Sequence, residues 1–339
     1  MNPVLHIHGA PAMPLPGGLS QHVFADIDEQ AAALTGWNQR YQQLSAGVFR
    51  GGVQRLQLDG VGLFVEDLHQ AVHQTGQVRP QVVALGVPAL LHDDSLFCGQ
   101  PGDAAALYVF SGRDGFEFRS PKRHVMLGIE VDANLFESQV LGDRAVSAPG
   151  TFAARAGLLA GGAAAIGALR CLLLSAFSAA PGGVGAADPV GLALRDEVLS
   201  RLTAAIEPTG DADRPQPART VAATAQVVLA DRARHLVSAR LDDPPTVAEL
   251  CVQLGVSRRT LQNCVHTTWG MGPLAWLNTL RLNAVRRRLK TAVSVTDAAT
   301  AYGFWHFGHF ADEYRALFGE LPSQTLRRHR EKVGPPTRH

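Results

Sequence analysis

The C-terminal third of this chain is written twice, and that repeat limits how it can fold. TVAELCVQLGV (246–256) aligns with SVTDAATAYGF (294–304) at an offset of 48, pairing Thr246 with Ser294, Val247 with Val295, Glu249 with Asp297 and Gly255 with Gly303. Each copy opens S/T-x-x-E/D, the pattern of a capping box, in which a hydroxyl accepts a hydrogen bond from a free amide of the first helical turn; Asp closes such a box less well than Glu. Each copy ends its apolar period at a glycine, which suits a left-handed C-cap and a sharp turn. Pro244 and Pro245 stop any earlier helix from running into the first copy. Beyond the turn the offset becomes 49: Leu261 matches Phe310, Val265 Tyr314, Trp269 Phe318, Gly270 Gly319 and Pro273 Pro322. One residue is therefore inserted at the second turn. Apolar residues four apart mark the inner face of a second helix. Each unit thus reads helix, Gly turn, helix, then Gly-x-x-Pro, which is a helix-turn-helix.

Between the two units runs PLAWLNTLRLNAVRRRLK (273–290). As a helix, its eighteen residues span about 27 Å at 1.5 Å each. Such a rod suits two recognition helices set about one duplex turn apart, roughly 34 Å, in successive major-groove segments. The charge agrees. The whole chain carries a net +1, but from Asp231 onward sixteen Lys/Arg face nine Asp/Glu, a net of +7, and the remainder nets −6. A basic region on an acidic body fits a nucleic-acid-binding module, although a solvated basic face would give the same count.

The rest of the chain reads differently. Residues 1–30 are rich in Pro and Gly with little periodicity and are expected to be loosely ordered. AAALTGWNQRYQQL (31–44) is expected to form a short helix. Then VQRLQLDGVGLFVEDL, VVALGVPALL, ALYVF, FEFRS and HVMLGIEV follow, short β-forming runs separated by Gly, Pro and Asp. They predict an antiparallel sandwich or barrel over about 48–132. From Ala133 to about Glu207 the composition turns to Ala and Leu, predicting helices broken at PGGVGAADP (181–189). EPTGDADRPQPAR (207–219) is a linker candidate. The domain plan is a loose N-terminus (1–30), a β-rich sensor domain with a helical end (31–206), a linker (207–219), a DNA-binding domain (220–330) and a tail (331–339).

MNPVLHIHGAPAMPLPGG has neither a basic start nor a long apolar run, so a signal peptide is not expected. The most apolar tract, Ala156–Leu169, is fourteen residues followed by Arg170, short of the ~20 that span a bilayer. Four cysteines at wide spacings, with no CxxC, argue against a zinc ribbon or a disulfide scaffold and fit a cytoplasmic location.

The paired motifs, the linking helix and the tail GFWHFGHFADEYRALFGELPSQTL together resemble the DNA-binding domain of AraC/XylS-type transcriptional regulators, over roughly residues 224–328. The wording is most similar to the ethanolamine-operon regulator branch, through VSRRTLQNC, GPLAWLNTLRLNAVRR and GFWHFGHFADEYRALF. TGWNQRYQQL, LFVEDL and VVALGVPA follow that branch more loosely. The resemblance implies an α+β chain: an N-terminal β-rich, cupin-like sensor domain with helices, then an all-α domain of two helix-turn-helix motifs joined by a long helix. It implies a DNA-binding regulator, an activator, acting on promoter DNA and RNA polymerase in response to a small molecule. In that branch the signals are ethanolamine and adenosylcobalamin; no cofactor is otherwise required. A homodimer through the helices after the sheet is one option, and packing of those helices on the sheet is the other. No membrane partner is expected.

With Leu261 and Val265 turned inward, Ser257 caps the first recognition helix, and Arg258, Arg259, Gln262 and Asn263 lie on its outer face near the N-terminal end. That end meets base edges in this motif. Arg binds guanine and Gln or Asn adenine in bidentate fashion. A plain solvated face would carry the same residues. In the second unit the matching positions are Phe307, Gly308, Ala311 and Asp312. The first helix is therefore expected to carry most of the sequence discrimination. The second adds phosphate contacts from His306, His309 or Arg315 and apolar contact from Ala311 or Phe307 to thymine methyls. Arg281, Arg286, Arg287, Arg288 and Lys290 are phosphate candidates, as are Arg327, Arg328 and Arg330, although solvated or paired arginines fit equally. Phe304 and Trp305 fall at the turn, where packing is expected.

Other chemistry is thin. Cys251, Cys264 and His266 suggest a metal site only in isolation, since Cys251 matches the small Ala299 and core packing accounts for it better. His69 and His73 lie in an extended stretch, about 13 Å apart, too far for one metal. His306 and His309 alone make a poor zinc site. HEXXH, P-loop and G-x-S-x-G motifs are absent. A cupin-like enzyme with an accessory DNA-binding domain is the alternative, and no tight His/His/Glu cluster supports catalysis. Phe64, Phe97, Tyr108 and Phe110 are candidates to line a ligand pocket or to fill a core.

Overall fold

The computed structural model describes residues 19–92, 94–142, 152–179, 188–207 and 221–333. The chain falls into two compact units, divided at Tyr41/Gln42, Phe49/Arg50 and Ala218/Arg219.

The first unit is a sandwich of antiparallel sheets with helices on one outer face. One sheet has seven strands in the order β1 (Leu19–Phe24), β3 (Gly51–Gln57), β4 (Val61–Leu68), β11 (His124–Asp132), β6 (Val82–Leu90), β9 (Ala106–Phe110) and β12 (Gly157–Ala160). The other has five: β2 (Trp37–Gln43), β5 (Val72–Val78), β10 (Phe116–Ser120), β7 (Leu96–Phe97) and β8 (Gln100–Pro101). Strand alternation sorts the seven-stranded sheet into two cores. Odd-numbered Val61, Leu63 and Val65 of β4 and Leu127, Ile129 and Val131 of β11 face helices α3 (Ala163–Ala179) and α4 (Pro189–Ile206), against Ile166, Leu169, Val198 and Leu202. Even-numbered Phe64 and Met126 face the second sheet, where they meet Trp37, Phe97, Tyr108, Phe110, Phe116 and Phe118. The rings there pack edge-on, as in Trp37–Phe110 at 5.0 Å and Phe97–Tyr108 at 4.9 Å. Phe64, Phe97, Tyr108 and Phe110 therefore fill the core of the sandwich.

Several boundaries differ from the sequence reading. Of residues 1–30, residues 1–18 lie outside the described residues, but 19–24 form β1, and α1 (Ile27–Ala33) follows, capped by Asp26, whose carboxylate accepts from the amides of Asp28 and Glu29 at 3.0 and 3.1 Å. The expected helix over 31–44 is instead the end of α1 and the whole of β2. Gly36, at φ +88, breaks the helix, and Trp37, Tyr41 and Gln43 are buried in strand alternation. Pairing with a distant strand outweighs the helix-forming QRYQQ. Strands extend beyond 48–132 on both sides. β12 lies within the stretch expected to be helical, pairing Gly157–Ala160 with Val109–Ala106. Around it the stretch is helical: α2 (Ala133–Leu135), a π-helical turn Phe136–Leu141, α3 and α4. α4 begins at Pro189 behind its cap Asp188. The remainder of the expected break at 181–189, and all of the 207–219 linker beyond Glu207, lie outside the described residues.

The second unit is helical: α5 (Val221–Ser238), α6 (Val247–Leu254), α7 (Arg258–Trp269), α8 (Pro273–Arg288), α9 (Val295–Thr300), α10 (Phe307–Phe318) and α11 (Pro322–Val333). α11 therefore runs into the expected tail. α8 is shared by two cores. Its first half, Trp276, Leu277 and Leu280, packs with α5, α6 and α7; its second half, Leu282 and Val285, packs with the C-cap Leu289 against α9 and α10. Its sixteen helical residues span about 24 Å. Gln42–Phe49 also belongs to this unit. There the amide of Gln43 donates to Asn283 Oδ1 (2.9 Å), and Asn283 Nδ2 donates back to the Gln43 carbonyl (3.0 Å). Gln43 Nε2 and the amide of Gly47 both donate to the carbonyl of Leu317, each at 3.0 Å. That carbonyl lies in the last turn of α10, where no intrahelical donor is left. The segment thus closes the C-terminal end of α10.

Candidate nucleic-acid interface

The two helix pairs form from local signals. Thr246 and Glu249 close a reciprocal capping box at α6: the Thr246 amide donates to Glu249 Oε2 (2.7 Å) and the Glu249 amide to Thr246 Oγ1 (3.2 Å). The bonds that its carboxylate accepts from the Thr246 amide and hydroxyl hold Glu249 below the usual carboxylate range. Ser294 accepts from the Asp297 amide at 3.0 Å to start α9. Gly255 and Gly303 carry the turns at φ +67 and +74, and Gly270 and Gly319 end α7 and α10 at φ +72 and +71. Stacking of Trp269 on Trp276, 4.3 Å between centroids, ties the end of α7 to α8.

α7 presents one polar face. Leu261, Cys264, Val265 and Trp269 are buried, while Arg258, Arg259, Gln262 and Asn263 are exposed, and His266 and Thr267 extend the same stripe. His266, a possible ligand partner by composition alone, lies on this face by its spacing from Gln262. Ser257 caps the helix, its Oγ accepting from the Thr260 amide at 3.1 Å. Cys264 is core: its thiol donates to the Gln226 carbonyl at 3.4 Å, and burial pushes its pKa up to about 11. Among the described residues no group of three or more His, Cys, Asp or Glu is placed to hold a metal.

α10 buries Phe310, Tyr314, Leu317 and Phe318. It exposes His306, Phe307, Gly308, His309, Asp312 and Arg315, with Ala311 half-buried. His309 Nε2 lies 3.6 Å from Glu313 Oε1. At the preceding turn Phe304 is buried, as expected, but Trp305 is 69% exposed.

The arginines of α8 sort by burial. Arg286, a phosphate candidate by sequence, is interior: Nη1 donates to Glu320 Oε1 (2.8 Å) and Tyr314 Oη (3.4 Å), and the guanidinium lies 4.7 Å from the Phe318 ring centroid. Arg328 shares Glu320, and Thr325 donates to the same carboxylate at 2.9 Å. Burial raises the Tyr314 phenol above its ordinary range. Arg281 holds the second turn, its Nε donating to the Tyr302 carbonyl (2.9 Å) and its guanidinium stacking 4.1 Å from the Phe304 ring centroid. Burial lowers its pKa. Arg288 pairs with Asp297 at 3.5 Å, and Arg330 donates to the Val293 carbonyl. Arg287 and Lys290 are half-buried and Arg327 is exposed.

In the sandwich, His73 lies in β5, its Nε2 2.5 Å from Glu117 Oε1, whereas His69 lies in the bend between β4 and β5 and not in the extended chain expected for both. Among the described residues, concavities open on this unit. One, of about 370 Å³, is lined by Phe136, Phe152, Val82 and Arg79, among others; the second, of about 280 Å³, is lined by Gln57, Arg79, Gln81, Glu130 and Asp132, among others. Glu130 is engaged by Trp37 Nε1 (2.6 Å) and Arg55 (2.9 Å). No helix among the described residues is long and apolar enough to cross a membrane.

Comparison with known proteins bears on the helical unit. Residues 250–328 match a family model described as a helix-turn-helix domain. The chain is 40% identical over 90 residues to the XylDLEGF operon transcriptional activator 1 of Pseudomonas putida, covering 25% of this chain and 26% of that protein. It is 37% identical over 95 residues to the probable thc operon regulatory protein of Rhodococcus erythropolis, covering 27% of this chain and 29% of that one. The match thus spans between about a quarter and about half of the length of the curated relatives. Among solved structures it is similar to a probable AraC family transcriptional regulator from Rhodopseudomonas palustris, at 32% identity, 30% of this chain, 98% of that one and a TM-score of 0.29.

Proposed function

We propose that this chain, which carries at residues 250–328 a DNA-binding helix-turn-helix domain of the AraC family, is a sequence-specific transcriptional activator. The observation that carries this is the face of α7. Arg258, Arg259, Gln262 and Asn263 stand exposed at the N-terminal end of a recognition helix whose opposite side is core. Both helix pairs act as helix-turn-helix motifs, and α7 supplies most of the base discrimination. α10 adds phosphate contacts from His306, His309 or Arg315 and contact from Phe307 or Ala311 to thymine methyls. Selection of bound duplexes from a random pool, followed by titration of Arg259→Ala on mutated sites, tests this. Full retention of specificity at every base by Arg259→Ala overturns the assignment.

The sandwich is then a cupin-like sensor. Its two concavities suit a small effector, and the polar 280 Å³ one suits an amino alcohol such as ethanolamine, with Asp132 facing the ammonium. Adenosylcobalamin, with its corrin ring, nucleotide loop and adenosyl group, is larger than either of these concavities, so neither is proposed as its site. Calorimetric titration of ethanolamine into wild type and Asp132→Asn tests the effector; equal heats in both sink it. RNA polymerase and a second copy of the chain are the remaining proposed partners, to be checked by run-off transcription and light scattering.

A further inference from the structure

The second turn holds one residue more than the first. Val256 matches Phe304 before the insertion and Ser257 matches His306 after it, so Trp305 is the residue without a counterpart. A residue just before an N-cap commonly packs on the fourth helical residue as a hydrophobic staple. Here that partner is Phe310, and Phe304 takes the place, 5.0 Å between ring centroids. Trp305 is left 69% exposed, beside Phe307 at 43%. The turn that presents it is fixed: the Phe304 amide donates to the Ala299 carbonyl (3.1 Å), Gly303 sits at φ +74, and Arg281 bonds the Tyr302 carbonyl while covering Phe304. The fixed turn thus holds the indole outward beside Phe307, at the start of α10.

From this, and resting on the DNA-binding reading above, we infer that Trp305 is a specificity-determining residue that contacts thymine C5-methyl groups in the major groove at the start of α10. The apolar surface continues into a helix within the matched domain, flanked by His306, His309 and Arg315, which suit the phosphates beside it. Of the groups on major-groove edges, the thymine methyl is the apolar one. Trp305 discriminates T from C, where an arginine or glutamine at this place would read a purine. Arg281 is a positioning residue: it holds the turn and touches no base.

The test uses the full chain and its selected duplex. Thymines in the half-site bound by α10 are replaced by uracil, which removes methyls and leaves every hydrogen bond. Wild type is expected to lose about fourfold in affinity per contacted methyl. Trp305→Ala is expected to bind the thymine site more weakly and to show a smaller thymine-to-uracil ratio, with unchanged circular dichroism because the side chain is exposed. Equal affinity of wild type for both duplexes, or an undiminished ratio in Trp305→Ala, overturns the inference and leaves DNA binding standing. Failure to bind any duplex overturns the DNA-binding reading, and this inference with it.

Discussion

Replacing Glu320 by Ala is expected to destabilise the helical unit by about 3–5 kcal/mol, the range for breaking one side of a buried ion pair. Arg286 and Glu320 are only 3% and 9% exposed. Without the carboxylate, the guanidinium keeps a 3.4 Å bond to Tyr314 and the ring of Phe318, while its Nε already lacks a partner. Thr325 and Arg328 lose their acceptor in the same stroke. Against a typical domain stability of roughly 5–15 kcal/mol, a loss of 4 lowers the folded-to-unfolded ratio by nearly a thousandfold. Urea unfolding of the full chain, followed by helical circular dichroism, reads this out. The paired variant Arg286→Met with Glu320→Leu is expected to recover most of the loss, since no charge is then left buried alone. It should also keep the salt dependence of duplex binding. A loss below about 1 kcal/mol for Glu320→Ala, or a salt slope smaller by about 1 in the double variant, would refute the reasoning, because the second result means that Arg286 reaches a phosphate.

Gln43→Ala removes donors to the carbonyls of Ser45, Gly47 and Leu317 and is expected to cost about 1–3 kcal/mol, measured by the same unfolding transition. Gly319→Ala is expected to be destabilising, because an added Cβ would lie 2.8 Å from Val48 Cγ2 at a φ of +71; an unchanged melting temperature contradicts it. His124 is fully buried, and burial lowers its pKa from 6.5 to about 4. Its neutral form is the one that folds, so its contribution is complete above pH 6.5 and is lost as pH falls from there through 4, by up to about 3 kcal/mol. His124→Phe should flatten that part of a stability–pH profile. Arg259→Ala is expected to cost about 1–3 kcal/mol on the preferred duplex and much less on random duplex, read by fluorescence anisotropy.

Much of the helical unit was legible because its signals are local. Thr246, Glu249, Gly255, Gly270 and Gly319 act within a turn of their own position, and the spacing of Leu261, Val265, Phe310 and Tyr314 defines the buried side. What escaped depends on partners far away in sequence. The stretch 37–43 looks helical until β5 pairs with it, and GLLA at 157–160 becomes a strand only against β9. Arg286 and Arg281 look like the other arginines of α8; Glu320 and the Tyr302 carbonyl make them structural. Trp305 sat in an aromatic run that suggested packing. The one-residue change in the offset was its signal.

Selection of duplexes by the full chain from a random pool, with the enriched site then titrated across salt concentrations, decides whether this chain reads DNA sequence. The enriched site is expected to hold two constant segments about one helical turn apart and to bind at least ~10³-fold more tightly than random duplex, with affinity falling steeply as salt rises. No enrichment, or equal affinity for enriched and random duplex, would contradict it.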